Sequence, residues 1–375
     1  MAHAYTPGLK VIPKTVVHKT RQLPLKGEVV VKKGQKVSAE DTVATTDLPG
    51  NVVPMNLANT LNVEASEIME MLVKKPGDKI KKGDLLAETP GIFGLFKSKA
   101  YSPTSGTIET VSKITGQTII REAPIPVSVQ AYINGKVTGI IPDEGVEVST
   151  TASFIQGIFG IGGERRGEIK ILAPDTETRI TEEMINPTCK GKVLICGSFL
   201  TDKAFQKAQE VEAVGVVVGG FNYSDIKEIV GYDIGVAITG QEDTNTTLII
   251  TEGFGEVNMA KHTFDLLKSQ EGKSASINGA TQIRAGVIRP EIIIPLEGDE
   301  KLQDRKAELF GLDKGTEVRV IRAPYFGMLG EVLDMPHELQ RLESGSLARV
   351  AKIKLYDTEK EVLLPRANLE MIEKK

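Results

Sequence analysis

The sequence predicts a multidomain protein that is β-rich with one α/β part. Three observations predict this fold class. A glycine- and lysine-rich segment occurs twice near the N-terminus, buried strand-like runs alternate with amphipathic helices in the middle, and short alternating strands with tight turns return at the C-terminus. We predict an N-terminal β region (1–162), an α/β domain with a mainly parallel sheet (163–295), a linker or helix (296–312) and a C-terminal β-barrel (313–375).

Composition and charge narrow the class of protein. Glycine is abundant, with 37 residues, and aromatic residues make up only 5%, which suits short strands joined by tight turns. The formal net charge of −4 lacks the basic surplus of a dedicated nucleic-acid-binding protein. No apolar run approaches the roughly 20 residues that span a bilayer, and the N-terminus has no charged region followed by an apolar core. We therefore expect a cytoplasmic protein without a membrane span.

The N-terminal region contains an internal repeat. Residues 31–44 and 74–87 align without a gap, and Gly77 and Asp84 lie 43 positions after Gly34 and Asp41. Each copy predicts a turn glycine, a short strand, a polar turn and an apolar strand. Residues 101–111 add a strand entered through a turn, and residues 131–148 extend or duplicate the barrel.

This pattern, over about residues 20–115, resembles the barrel-sandwich hybrid fold of biotinyl and lipoyl carrier domains. The segment Ser102–Ile108 is similar to the version found in RnfC-type proteins. The resemblance implies a hairpin at residues 90–99 where carrier domains hold a modifiable lysine, but the carrier tip motif is missing there. We therefore expect no covalent cofactor. Phe93, Leu95 and Phe96 in this hairpin either fill the core or form an apolar contact for a partner.

The middle region alternates buried strands with helices. Apolar runs at 192–196, 214–218, 235–239 and 247–251 predict strands. Helices are expected to begin at Thr201 or Asp202 and at Ser224, each as a cap, and a third is expected from Val257 to Gln270. Strands that are buried on both faces and alternate with helices predict a parallel sheet.

The loops of this domain are the place where a small molecule would bind. In an open parallel sheet, ligands bind at the carboxyl ends of the strands, and free backbone amides there favour anions. The candidate ligand loop consists of Gly219, Gly220, Asn222, Gly240 and Glu242. No dinucleotide fingerprint or phosphate-binding loop motif accompanies them, so plain βα turns remain the alternative.

The sequence contains no set of residues with the spacing of a known catalytic or metal site. Cys189 and Cys196 are expected to be free thiols of a reducing compartment. None of the four histidines forms a pair with metal-ligand spacing, so we predict no metal site and no cofactor. We predict no catalytic residue and favour a protein that is not an enzyme.

The C-terminal sequence has strands with alternating apolar residues around a turn with Pro324 and Gly327, and Gly330 opens the second strand. This stretch resembles the KOW motif of NusG-type transcription factors and several ribosomal proteins, which is an SH3-like barrel. In that family the strand and turn around the motif form the contact surface. The matching contact residues are Arg319, Arg322, Tyr325 and Phe326, where the arginines would pair with phosphates and the rings would stack on bases.

The modules together favour a non-catalytic interaction or scaffold protein. Its partner would be a protein or ribonucleoprotein bound through the KOW-like and barrel-sandwich modules. An RNA-, ribosome- or transcription-associated factor is one alternative, and a small-ligand-binding or enzymatic α/β domain is another. Self-association into an oligomer is also open.

Overall fold

The computed structural model describes residues 9–90, 97–231, 239–240, 242, 244–282, 288–296, 312–322, 324–325, 327–336, 338–341, 347–356 and 358–371. These residues form a β-rich protein, as the sequence predicts, and they include four short α-helices.

The N-terminal region is almost entirely strand. Its elements are β1 (Val11–Gln22), β2 (Glu28–Val29), β3 (Lys36–Val37), β4 (Thr42–Leu48), β5 (Val52–Asn56), α1 (Leu57–Leu61), a 3₁₀ helix (Ala65–Glu70), β6 (Lys79–Ile80), β7 (Leu85–Glu88), β8 (Lys99–Tyr101), β9 (Gly106–Val111), β10 (Gln117–Arg121), β11 (Ile125–Gln130), β12 (Gly135–Ile141) and β13 (Gly145–Gln156).

This region has two hydrophobic cores, because one part of the chain is inserted into another. Strands β4 and β11 pair with Leu48 opposite Ile125, and everything from β5 to β10 lies between them. The inserted module (residues 52–121) packs around residues such as Ile68 and Ile108. The outer module (residues 11–48 and 125–156) packs around a separate set that includes Val43.

The sequence repeat is also a repeat of structure. Gly34 and Gly77 both adopt a left-handed backbone, with φ of 89° and 95°, just before the two-residue strands β3 and β6. After each strand an aspartate closes the next turn by accepting the backbone N–H three residues earlier, at 2.8 Å for Asp41 and 2.9 Å for Asp84. The first copy belongs to the outer module and the second to the inserted module.

The duplication extends to the strands that pair with the repeat. In the outer module β3 pairs with β12, with Gly135 opposite Val37. In the inserted module β6 pairs with β9, with Gly106 opposite Ile80. A Cβ atom at Gly135 would lie 2.3 Å from a backbone oxygen of β13, and one at Gly106 would lie 2.2 Å from a backbone oxygen of β10. Both glycines are therefore needed for close strand contact.

The middle region combines strands and helices. Its elements are β14 (Phe159–Ile161), β15 (Glu164–Ile171), β16 (Arg179–Ile180), 3₁₀ helices at Glu182–Met184 and Pro187–Cys189, β17 (Lys192–Ile195), β18 (Phe199–Leu200), α2 (Asp202–Glu210), β19 (Gly215–Phe221), α3 (Tyr223–Val230), β20 (Thr247–Phe254), α4 (Lys261–Ser269), β21 (Ser274–Asn278) and β22 (Glu291–Pro295).

The sheet of this region contains the parallel strands that we expected and adds antiparallel strands that the sequence does not predict. Strands β15, β17, β19 and β20 are parallel neighbours, but β14, β21 and β22 join the same sheet in antiparallel pairs. Continuous apolar runs show that a strand is buried on both faces and do not give its direction. The expected strand at 235–239 lies outside the described residues except for Thr239.

The same sheet continues into the outer module. Strand β22 pairs antiparallel with β13, with Phe154 opposite Ile293, and β13 in turn pairs with β1 and β12. The side chain of Ile293 lies in the core of the outer module. The sheet therefore crosses the boundary that the sequence predicts at residue 162.

The helix starts agree only in part with the sequence. Thr201 caps α2, since its hydroxyl accepts the backbone N–H three residues later at 3.1 Å. The N-cap position of α3 is Asn222, and Ser224 lies inside the helix. The third helix begins at Lys261, four residues after the expected Val257.

The C-terminal region is an antiparallel sheet with its own core. Its strands are β23 (Glu317–Val320), β24 (Leu329–Asp334), β25 (Gln340–Arg341), β26 (Leu347–Ala348), β27 (Val350–Leu355), β28 (Glu361–Pro365) and, after a 3₁₀ turn at Arg366–Asn368, β29 (Leu369–Met371). Five of them follow the order β28-β27-β24-β23-β29, and β25 and β26 form a separate hairpin. The core of this C-terminal module is built from residues such as Val318 and Ile353.

Candidate interaction surfaces

Arg319 is buried between the C-terminal module and the α/β region. Its guanidinium donates to Glu252 at 2.9 Å and to Glu370 at 3.2 Å, and only 3% of the residue is exposed. The neighbouring Val318 and Val320 point into the C-terminal core, so the alternate face of β23 carries Arg319. That face is covered by β20. The expected contact of Arg319 with a phosphate is therefore wrong for this arrangement.

A second arginine joins the same buried cluster. Arg289 lies 3.5 Å from Glu370, which is itself 1% exposed. Burial lowers the pKa of Arg289, and the charges of Arg319 and Arg322 lower it further, while Glu370 acts in the opposite direction. The cluster thus joins two modules through buried charges that compensate one another.

The two modules also pack closely against each other at two glycines. A Cβ atom at Gly253 in β20 would lie 2.6 Å from the carbonyl oxygen of Gly327, and one at Gly327 would lie 2.6 Å from the ring of Phe254. Gly327 also has a φ of 80°, which favours glycine. The turn that the sequence assigns to ligand contact is used here for packing inside the molecule.

Two other expected contact residues of this turn are only partly exposed to solvent. Arg322 and Tyr325 are half-buried, and Tyr325 packs against the C-terminal core. Phe326 lies outside the described residues.

Exposed apolar side chains occur elsewhere on the C-terminal module. Leu347 is 64% exposed and Leu339 55% exposed, on and beside the β25–β26 hairpin, and Tyr356 and Leu363 are also exposed. Some charged side chains of this module pair with each other, as Lys352 does with Glu361 at 2.6 Å. The described surface of this module is therefore apolar in places and nearly neutral.

The space beside two glycines of the candidate ligand loop is filled by the protein's own backbone. A Cβ atom at Gly219 would lie 2.2 Å from the carbonyl oxygen of Val257, and one at Gly220 would lie 2.0 Å from that of Gly255. The backbone N–H groups of both glycines are also used inside the protein, since they donate to the carbonyls of Gly197 and Ser198 at 3.0 and 2.9 Å. The expected cradle at these two glycines is therefore wrong.

The remaining loop residues have structural partners. The Asn222 amide donates to Asp225 at 3.0 Å. The carboxylate of Glu242 accepts the backbone N–H groups of Gly162 and Gly240, each at 2.8 Å. Glu242 therefore ties its loop to the end of β14.

The described residues hold no arrangement that favours a reactive thiol or a metal ion. Cys189 and Cys196 form no disulfide, as expected, and both are buried. Burial raises the pKa of the Cys196 thiol, and the neighbouring Cys189 adds to the rise, so the nucleophilic thiolate is disfavoured. No cluster of three or more His, Cys, Asp or Glu that could hold a metal ion occurs within the described part of the chain. The apolar contact expected from Phe93, Leu95 and Phe96 lies outside the described residues.

No protein-family model matches the chain, and no curated protein sequence matches it. Among the described residues, no helix combines the length and the apolar character needed to cross a bilayer.

Proposed function

We propose that this chain is a non-catalytic interaction protein that binds a protein partner through its C-terminal module. Five antiparallel strands around one small core support the KOW-like, SH3-like barrel that the motif resembles. The two repeated modules with matching turns support the barrel-sandwich resemblance of the N-terminal region. Modules of these kinds act by presenting surfaces.

One observation carries the proposal: Leu339 and Leu347 are more than half exposed on a module whose described acidic and basic residues nearly balance. A few side chains in the desolvated centre of an interface supply most of its binding free energy, and exposed apolar side chains on a folded surface mark places where a partner binds. Arg319, one of the two arginines expected to contact phosphates, is buried in an internal cluster. The C-terminal module therefore fits a protein partner better than RNA.

The test is quantitative affinity purification of the full chain from its host, comparing the wild type with a Leu339→Asp, Leu347→Asp double variant. We expect a reproducible partner whose recovery falls at least about tenfold in the double variant, the loss that corresponds to roughly 1.4 kcal/mol of binding free energy. The control is Ile114→Asp, a change at an 89% exposed position of the inserted module.

Circular dichroism would show that all variants are folded. Equal recovery of the partner by the wild type and the double variant would contradict the proposal. So would the recovery of no reproducible partner.

A further inference from the structure

The inserted module carries a concentration of lysines on β6 and the two turns that flank it. Residues 74–84, here named the lysine turn, contain five lysines and two aspartates, a net charge of +3 in a chain whose total is −4. The side chains of Lys75, Lys79, Lys81 and Lys82 are all exposed. Charge of one sign on one small surface attracts ligands of the opposite sign.

The two aspartates of this segment offset only part of its positive charge, and backbone hydrogen bonds hold both of them in place. Asp78 and Asp84 each accept a backbone N–H of the turn, at 2.8 and 2.9 Å. Other charges of the module form their own pairs, such as Arg121 with Glu109 at 2.9 Å. No ion pair of the four exposed lysines occurs among the described residues.

An exposed aromatic ring lies beside the lysine turn. Tyr101 in β8 is 51% exposed and stands opposite Leu85, one residue beyond the turn. The backbones are joined at this place, since the N–H of Gly83 donates to the carbonyl of Ser102 at 2.8 Å. Lys82 is held as well, because its N–H donates to the hydroxyl of Ser105 at 2.9 Å.

We propose that the lysine turn and Tyr101 bind single-stranded nucleic acid. The lysines contact consecutive phosphates, and a base stacks on the face of Tyr101, a combination that binds single strands with little dependence on sequence. A duplex keeps its bases stacked inside and would leave the ring unused. This surface is separate from the C-terminal module, so it does not depend on the protein-binding function proposed above.

The test measures fluorescence anisotropy of labelled oligo(U) and oligo(dT) of about 16 nucleotides, the upper end of the site size for one small module. The full chain is compared with a Lys79→Gln, Lys81→Gln, Lys82→Gln variant. We expect its affinity at low salt to fall at least tenfold. We also expect the slope of log K against log salt to decrease in magnitude by about 2, since each lost phosphate contact removes about 0.7. The matched control is Lys190→Gln, Lys207→Gln, Lys352→Gln, three lysines that pair with Glu212, Glu210 and Glu361.

Stacking is tested separately at Tyr101. Tyr101→Ala should weaken binding by about 5- to 150-fold, in line with the contribution of one base stacked on an aromatic ring, and Tyr101→Phe should restore it. All variants should keep the unfolding temperature of the wild type. A difference between oligo(U) and oligo(dT) would decide which nucleic acid is preferred.

Three results would overturn the proposal. The first is no binding of either oligonucleotide at low salt. The second is an equal loss of affinity in the control triple variant, which would show that the overall charge of the protein, and not the lysine turn, determines the affinity. The third is lysine-turn-dependent binding to vesicles containing phosphatidylserine in the absence of oligonucleotide binding, which would assign the surface to a membrane.

Discussion

At the scale of single residues, Arg319 shows how far local pattern and tertiary position can differ. The alternation of β23 correctly predicts that Val318 and Val320 share one face and Arg319 the other. In a small barrel that other face is normally open to solvent. Here it is covered by the α/β region, and the arginine is enclosed by Glu252 and Glu370.

We predict that Arg319→Ala destabilises the protein by about 3–5 kcal/mol, because it leaves two buried carboxylates without their partner. Chemical denaturation of the full chain measures this loss. The control is Lys352→Ala, which breaks an exposed 2.6 Å pair with Glu361 and should cost no more than about 1 kcal/mol. If Arg319→Ala cost as little as the control, the buried cluster would not hold the modules together.

At the scale of elements, the repeat is the feature that the sequence predicts best. The glycine turns, the short strands and the aspartate turns follow from the residues themselves, because each depends only on a few neighbours. The equivalence of β9 and β12, the strands that pair with the repeat, does not follow from the sequence in the same way. Gly106 and Gly135 are equivalent in the structure, although the segments around them share little sequence beyond the glycine.

We predict that Gly106→Ala and Gly135→Ala each cost about 1–3 kcal/mol, since the added methyl group would press on a neighbouring backbone. Hydrogen exchange should show the loss of protection in the inserted module for Gly106→Ala and in the outer module for Gly135→Ala. The control is Gly139→Ala in β12, where a Cβ atom would meet the nearest side chain at an ordinary 3.4 Å. Its effect should stay within about 0.5 kcal/mol.

A uniform loss of protection across both modules in either variant would contradict the assignment of two separate cores.

At the scale of the whole molecule, the modules are joined in unequal ways. The inserted module has its own core and enters between two paired strands. The outer module shares a sheet with the α/β region through β13 and β22. The first should therefore behave as a removable unit, and the second should not.

We predict that deleting residues 51–122 leaves a folded protein. The cut joins Gly50 to Ala123 and closes a four-residue loop between Leu48 and Ile125, which already face each other. Calorimetry should show one cooperative transition for the shortened chain, and the excised piece 51–122 should fold alone. Deleting residues 1–162 instead removes β13 from β22 and should abolish the cooperative transition. A folded, cooperative product of that second deletion would show that the shared sheet is dispensable.

The sequence by itself determined the β-rich multidomain class, the repeat with its glycine and aspartate turns, the cap of α2 and the free buried thiols, because each depends on composition or on contacts between near neighbours. Only the tertiary structure decided that Arg319 is enclosed, that Gly219 and Gly220 pack against backbone, and that one sheet joins the outer module to the α/β region. These depend on which surface covers a given strand face, and residues far apart in the chain determine that. The lysine turn stands between the two cases: its charge was visible in the sequence, while the neighbouring exposed ring of Tyr101 required the fold.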